Sequence, residues 1–153
     1  MSAEARFSQL KLELPPPPKA VGVYKPVVEI KGMLYLSGHG PLLPDGTLIR
    51  GRVGDDLDTA AGYQAARQTG LAILATLRKH CGSLDAIGRL VKTFGLVQAT
   101  PQFTDHPAVI NGFSELMRDV FGEDHGVAAR SAVGAVSLPA GMAVEVEAIF
   151  ELL

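Results

Sequence analysis

The chain has no tryptophan and one cysteine, Cys81, among its 153 residues. A lone thiol excludes an internal disulfide and any zinc site built from several cysteines, and it fits a reducing compartment. Cationic surplus is missing too: 14 lysines and arginines stand against 16 carboxylates, net charge −2, with the basic residues scattered. That removes the electrostatic footprint of nucleic-acid binding, so no nucleic acid is expected as a partner. No apolar run approaches the roughly twenty residues of a membrane helix. The first ten residues, MSAEARFSQL, also lack the basic start and apolar core of a signal peptide. The expectation is a soluble, cytoplasmic protein with no membrane partner. Glycine-rich phosphate loops and a nucleophile elbow are absent, which leaves nucleotide binding and serine nucleophile chemistry without support. His39, His80, His106 and His125 show no ligand spacing with one another or with Cys81, so neither a metal nor a cofactor is expected.

What is abundant is apolar character, 47% of residues. In a chain long enough for one domain with a real core, such a surplus points to a surface covered by other copies. Ala3 to Leu12 can form a short helix, and Pro15-Pro16-Pro17-Pro18 forces extended backbone after it. Residues 1–18 thus read as an arm lying on the domain or on a neighbour, with 19–153 as the domain itself. Val27 to Ile30 and Met33 to Ser37 flank Lys31-Gly32, a tight hairpin. Asp58 can cap, and Gly82 end, a long helix whose stripe is Ala66, Gly70, Ile73, Leu74, Leu77 and Cys81. The cysteine reads as core. Arg89 to Gln98 has apolar residues on both faces and reads as a central strand. A second helix opens at Asp105-His106-Pro107, carries Val109, Ile110, Phe113, Leu116, Met117, Val120 and Phe121, and stops at Gly122.

Two alternating runs, Ala129 to Ser137 and Met142 to Glu151, surround Leu138-Pro139-Ala140-Gly141 and read as antiparallel neighbours. If Ser137 faces Met142, then Val133, Ala135 and Ser137 share an apolar face with Met142, Val144, Val146 and Ala148. The other face gathers Arg130, Ala132, Gly134 and Val136 with Ala143, Glu145, Glu147 and Ile149. Such a face is either solvated or part of a closed pocket. Charges set among small apolar residues favour the pocket, because charges are seldom buried unless paired or used. A guanidinium such as Arg130 can grip a small carboxylate through two parallel hydrogen bonds. His39, between glycines after a strand, reads either as a water-facing loop residue or as part of an active-site loop. Tyr24 and Asn111 read by default as a half-buried aromatic and a surface or capping amide. The element order is strand, strand, helix, strand, helix, strand, strand: an α+β mixed sheet with two helices on one face and its other face awaiting a cover.

Several pieces occur in an order that resembles one family. Arg130-Ser131 with Val133, then Leu138-Pro139, then Val144 to Ile149 resemble the signature of the reactive-intermediate deaminase family, also called Rid or YjgF. Gly22-Val23-Tyr24 is similar to its G-P-Y, Ser37-Gly38 with Pro41 to its S-G-Q-x-P, and Val109-Ile110-Asn111 to its V-N. The resemblance covers about Ala20 to Glu151. It implies a chorismate-mutase-like α+β fold and a homotrimer with inward-facing sheets and ligand sites at the subunit clefts. It also implies hydrolysis of enamines and imines such as 2-aminoacrylate and 2-iminopropanoate to 2-oxo acids and ammonia. By position, Arg130 would bind the substrate carboxylate and Glu145 would orient or activate water. Tyr24, Ser37, Gly38, His39, Asn111 and Ala132 would shape the cleft. Ala132 stands where many members have cysteine, His39 and Gly40 replace glutamine and an aliphatic residue, and the loop from Asp45 to Asp58 is longer. A binding protein for small carboxylates, or the ribonuclease activity attached by name to some relatives, are the other functions in view.

Overall fold

The computed structural model describes Met1–Leu153. Strands β1 (Val27–Ile30), β2 (Met33–His39), β3 (Ile87–Gln98), β4 (Ala129–Ala135) and β5 (Val144–Leu152) form one sheet ordered β1-β2-β5-β3-β4. Lys31 and Gly32, at φ 49° and 77°, make the two-residue turn between β1 and β2. Two positive φ values give the connection a twist that matches its strands. Helices α2 (Thr59–Cys81) and α3 (His106–Phe121) cover one face of the sheet, and α1 (Ala3–Leu10) and the short α4 (Glu123–Gly126) flank them.

The long helix starts and stops where its sequence indicates. Asp58 accepts a hydrogen bond from the Ala61 N–H at 2.8 Å, satisfying a free donor of the first turn, and Gly82 at φ 81° closes the last. From Thr69 to Leu77 α2 is buried all round, because it packs on β5 and β2 and against α3 beside it; Ala65, Ala66, Ile73, Leu74 and Leu77 are fully enclosed. The whole predicted stripe of α3 is buried as well. In α1, Phe7 enters the common core, and Arg78 lies over its ring at 5.1 Å while gripping Glu4 through two hydrogen bonds. Leu10, Leu12 and Leu14 continue that contact, so the segment before the prolines packs on this chain's own core.

One expectation is overturned. β4 and β5 are not neighbours: β3 lies between them, parallel to β4 and antiparallel to β5. Pro139–Gly141 makes a tight helical turn across the end of β3. There the Gln98 amide donates to the Gly51 and Gly141 carbonyls at 2.9 and 3.3 Å and accepts from the Leu138 N–H at 2.8 Å. Two alternating runs joined by a short Pro-Gly segment look alike in sequence whether they touch or flank a third strand. The consequence is a reversal of faces. Thr93 is beside both Arg130 and Ala148, whereas Leu96 is beside both Val133 and Glu145. Arg130, Ala132 and Gly134 therefore share the helix side with Val144, Val146 and Ala148, and Glu145 and Glu147 point the other way.

The reading of β3 as buried on both faces is also corrected within this chain. Leu90, Thr93 and Val97 are closed off under the helices, but Phe94 and Leu96 on the opposite face are only half-buried. Val28, Tyr35 and Val133 on that open face are 50%, 45% and 39% exposed. No helix is long and apolar enough to cross a membrane.

Candidate functional site

The residues singled out by sequence fall into two clusters on opposite sides of the sheet. The first is on the helix side at the β4 edge. Asn111 and Ser114 lie three apart on α3, hence on one face of the helix, and both meet Arg130. The guanidinium donates through Nη1 to Asn111 Oδ1 at 2.8 Å and to Ser114 Oγ at 3.2 Å. Its other N–H groups make no protein hydrogen bond, which leaves a charged, half-buried fork held in place by neutral partners. Thr93, the strand neighbour of Arg130, has a buried hydroxyl oxygen with no partner. Ala132, two residues along the same face, packs against the core. Ser114 was not singled out from the sequence; its spacing of three from Asn111 is the signal that could have found it.

The second cluster is on the open side and depends on an irregularity in β2. Leu36 pairs with Ala148 and His39 with Val146, so β2 carries one extra residue between them. Such a bulge bends a strand and re-aims its side chains. At Gly38 a Cβ would come within 2.6 Å of Glu145 Oε2 and 2.8 Å of its Cδ. The carboxylate therefore lies directly on the strand backbone, a position that only glycine leaves free. Ser37 donates its hydroxyl to the Lys25 carbonyl at 2.6 Å, and Tyr24, 47% exposed at the rim, accepts from the Val21 N–H at 3.4 Å. Tyr24, Ser37, Gly38, Glu145 and Glu147 line a cavity of about 690 Å³. Burial, and then the negative charge of Glu147, push the Glu145 carboxyl above the usual carboxylate range.

His39 corrects another expectation. It is not a water-facing loop residue: His39 is 4% exposed and its ring points to the helices, while the residue still forms part of the lining of the Glu145 cavity. Nδ1 lies 2.6 Å from the Ser37 carbonyl and Nε2 lies 2.8 Å from the Thr76 hydroxyl. A carbonyl can only accept, so Nδ1 carries the proton and Nε2 accepts from Thr76. Burial pushes the imidazole pKa down, in keeping with a neutral ring. The Gly-His-Gly sequence suggested that the strand had ended, whereas the bulge lets β2 run on and returns His39 to the core side.

The shared face proposed for Arg130 and the two glutamates thus does not exist within one chain. A guanidinium held ready for an anion is on one side, a desolvated carboxylate in a cavity is on the other, and the sheet separates them. A model of the family described as "YjgF/chorismate_mutase-like, putative endoribonuclease" matches residues 4–145. Protein TCP17 of Trypanosoma cruzi is 36% identical over 148 residues, which span 97% of this chain and 92% of that protein. The crystal structure of Atu1372 from Agrobacterium tumefaciens, a protein described as of unknown function, is 37% identical. It aligns with a TM-score of 0.89 over 99% of this chain and 94% of that one. A Shewanella oneidensis MR-1 structure, described as a putative endoribonuclease, is 29% identical with a TM-score of 0.94, covering 99% of this chain and all of that one. The chain belongs to the YjgF/chorismate mutase-like family, the Rid family that its motifs resemble.

Proposed function

We propose that the protein hydrolyses small 2-imino acids, such as 2-iminopropanoate formed from 2-aminoacrylate, to 2-oxo acids and ammonia. The observation that carries this reading is a preorganised guanidinium and a desolvated carboxylate built on opposite faces of one sheet. They can cooperate only if a neighbouring copy brings its Arg130 to the Glu145 cavity. The exposed apolar face around Tyr35, Phe94 and Val133 supports such an assembly, which we take to be a homotrimer with clefts between subunits.

In such a cleft Arg130 binds the substrate carboxylate with the N–H groups not used by Asn111 and Ser114. Tyr24, Ser37 and the Gly38 backbone shape the wall around the imine. The protonated imine carbon is already electrophilic, so placing a water and moving its protons is enough. Glu145 takes a proton as the water oxygen bonds to C2 and the C=N electron pair moves to nitrogen. That proton then passes to the nitrogen, the C2–N bond breaks with its pair leaving on ammonia, and Glu145 takes the hydroxyl proton as the carbonyl forms. A carboxyl with raised proton affinity suits both directions of this transfer.

Ammonia and pyruvate released from enzymatically generated 2-aminoacrylate test the reading. Release no faster with the native chain than with Arg130→Ala overturns it and leaves a carboxylate-binding protein, for which calorimetry with 2-oxo acids is the check. The name endoribonuclease carried by relatives finds less support here, since the net charge is −2 with no basic cluster.

A further inference from the structure

In one chain the Glu145 cavity measures about 690 Å³, room for more than a three-carbon imino acid beside a neighbouring guanidinium, and its two ends differ in chemistry. Two glycines two residues apart mark those ends. Gly38 is the floor beneath the Glu145 carboxylate. Gly40 is the floor beneath an apolar wall, where an added Cβ would collide with the sulfur of Met142 and come within 3.5 Å of Leu48 Cδ2. Along extended backbone two residues span about 7 Å, so the apolar wall begins about that far from the carboxylate.

That wall is braced. Leu42 and Leu48 pair across a small hairpin closed by Leu43 N–H to Thr47 O at 2.8 Å and Gly46 N–H to Leu43 O at 2.9 Å. Gln68 of α2 holds it by donating to the Leu42 carbonyl at 2.6 Å. Met142 is 6% exposed and fixed beside it. Leu42, Leu48 and Met142 therefore offer a preformed apolar surface that costs little to organise when a chain of carbon atoms lies along it.

We propose that the preferred substrates are 2-imino acids with an unbranched apolar side chain of about four carbon atoms, which extends roughly 5 Å from the reacting carbon and, with the roughly 2 Å radius of its terminal methyl, meets a wall ~7 Å away along the strand. This rests on the reading of the Glu145 cavity as the place where the imine is held. Each methylene laid on Leu42, Leu48 and Met142 leaves water, whereas the methyl of 2-iminopropanoate reaches none of them.

Stable 2-oxo acids test the fit without requiring turnover. In titration calorimetry with the full chain, 2-oxohexanoate binds about tenfold or more tightly than pyruvate, and Leu48→Asn brings the two affinities together. Equal affinities, tighter pyruvate, or no binding of 2-oxohexanoate overturns the proposal. Turnover is read separately, with imines released by a D-amino acid oxidase from D-norleucine and D-alanine. Selective binding with no acceleration of either hydrolysis sinks the deaminase reading and leaves the ligand preference standing. Acceleration of both with no preference for the longer imine, and no difference in binding, sinks the preference and leaves the deaminase.

Discussion

The two sides of the sheet solve opposite problems. Beneath the helices almost every polar group has a partner: Arg130 with Asn111 and Ser114, His39 with Thr76 and the Ser37 carbonyl. On the open side Tyr35 and Val28 stand half exposed, and Glu145 is desolvated beside another carboxylate with no cation against it. The closed side is packed within one chain, apart from the free N–H groups of Arg130 and the Thr93 hydroxyl, and the open side is not. A carboxyl that is crowded and partly dry costs stability, and that cost is what a role in the proposed reaction would account for.

The contrast predicts different penalties on the two sides. Arg130→Ala should lower kcat/KM for imine hydrolysis by about a thousandfold, because the substrate loses its charged anchor, with little change in unfolding by urea. Glu145→Gln should lower kcat about a hundredfold as proton transfer is lost, yet raise Tm, since a carboxylate that burial and Glu147 disfavour is gone. Each variant alone keeps about 1% of native activity or less, but refolding the two together should restore about a quarter of it if every site takes Arg130 from one copy and Glu145 from the next. No recovery would mean that the two residues do not act in one shared site, and would break the comparison.

Smaller effects sharpen it. His39→Ala should leave the Thr76 hydroxyl and the Ser37 carbonyl unpartnered and cost about 1–3 kcal/mol, measured by urea denaturation. The ring also steadies the bulge under Glu145, so activity should fall with it. Glu147→Gln should give the mildest change. Removing the neighbouring negative charge lets Glu145 lose its proton at lower pH, so the acidic limb of the kcat/KM profile moves down. Burial, the larger cause, remains, and the limb stays above that of an ordinary carboxylate.

Much of the fold was legible because its signals are local. Asp58 and Gly82 bound α2, Lys31-Gly32 turns β1 into β2, and the apolar spacing of α3 marks every residue it buries except Gly112. The family motifs likewise pointed to Arg130, Asn111, Glu145 and Gly38. Ser114 is marked in sequence only by its spacing of three from Asn111, which many helix serines share, and its role depends on where Arg130 lies. His39 was misplaced because a bulge is a matter of register between two strands, and register belongs to a pair rather than to either run alone.

Sequence by itself therefore determined where most of the helices and strands lie, and it named the side chains that the family motifs mark, since periodicity, caps and turn residues act over a few positions of chain. Only the tertiary structure decided that β3 enters between β4 and β5. That one insertion turns Arg130 to the helix side and Glu145 to the open side. A strand shows its alternation to the reader but not its neighbours, and a site made of two strands is assembled by whichever strand lies between them.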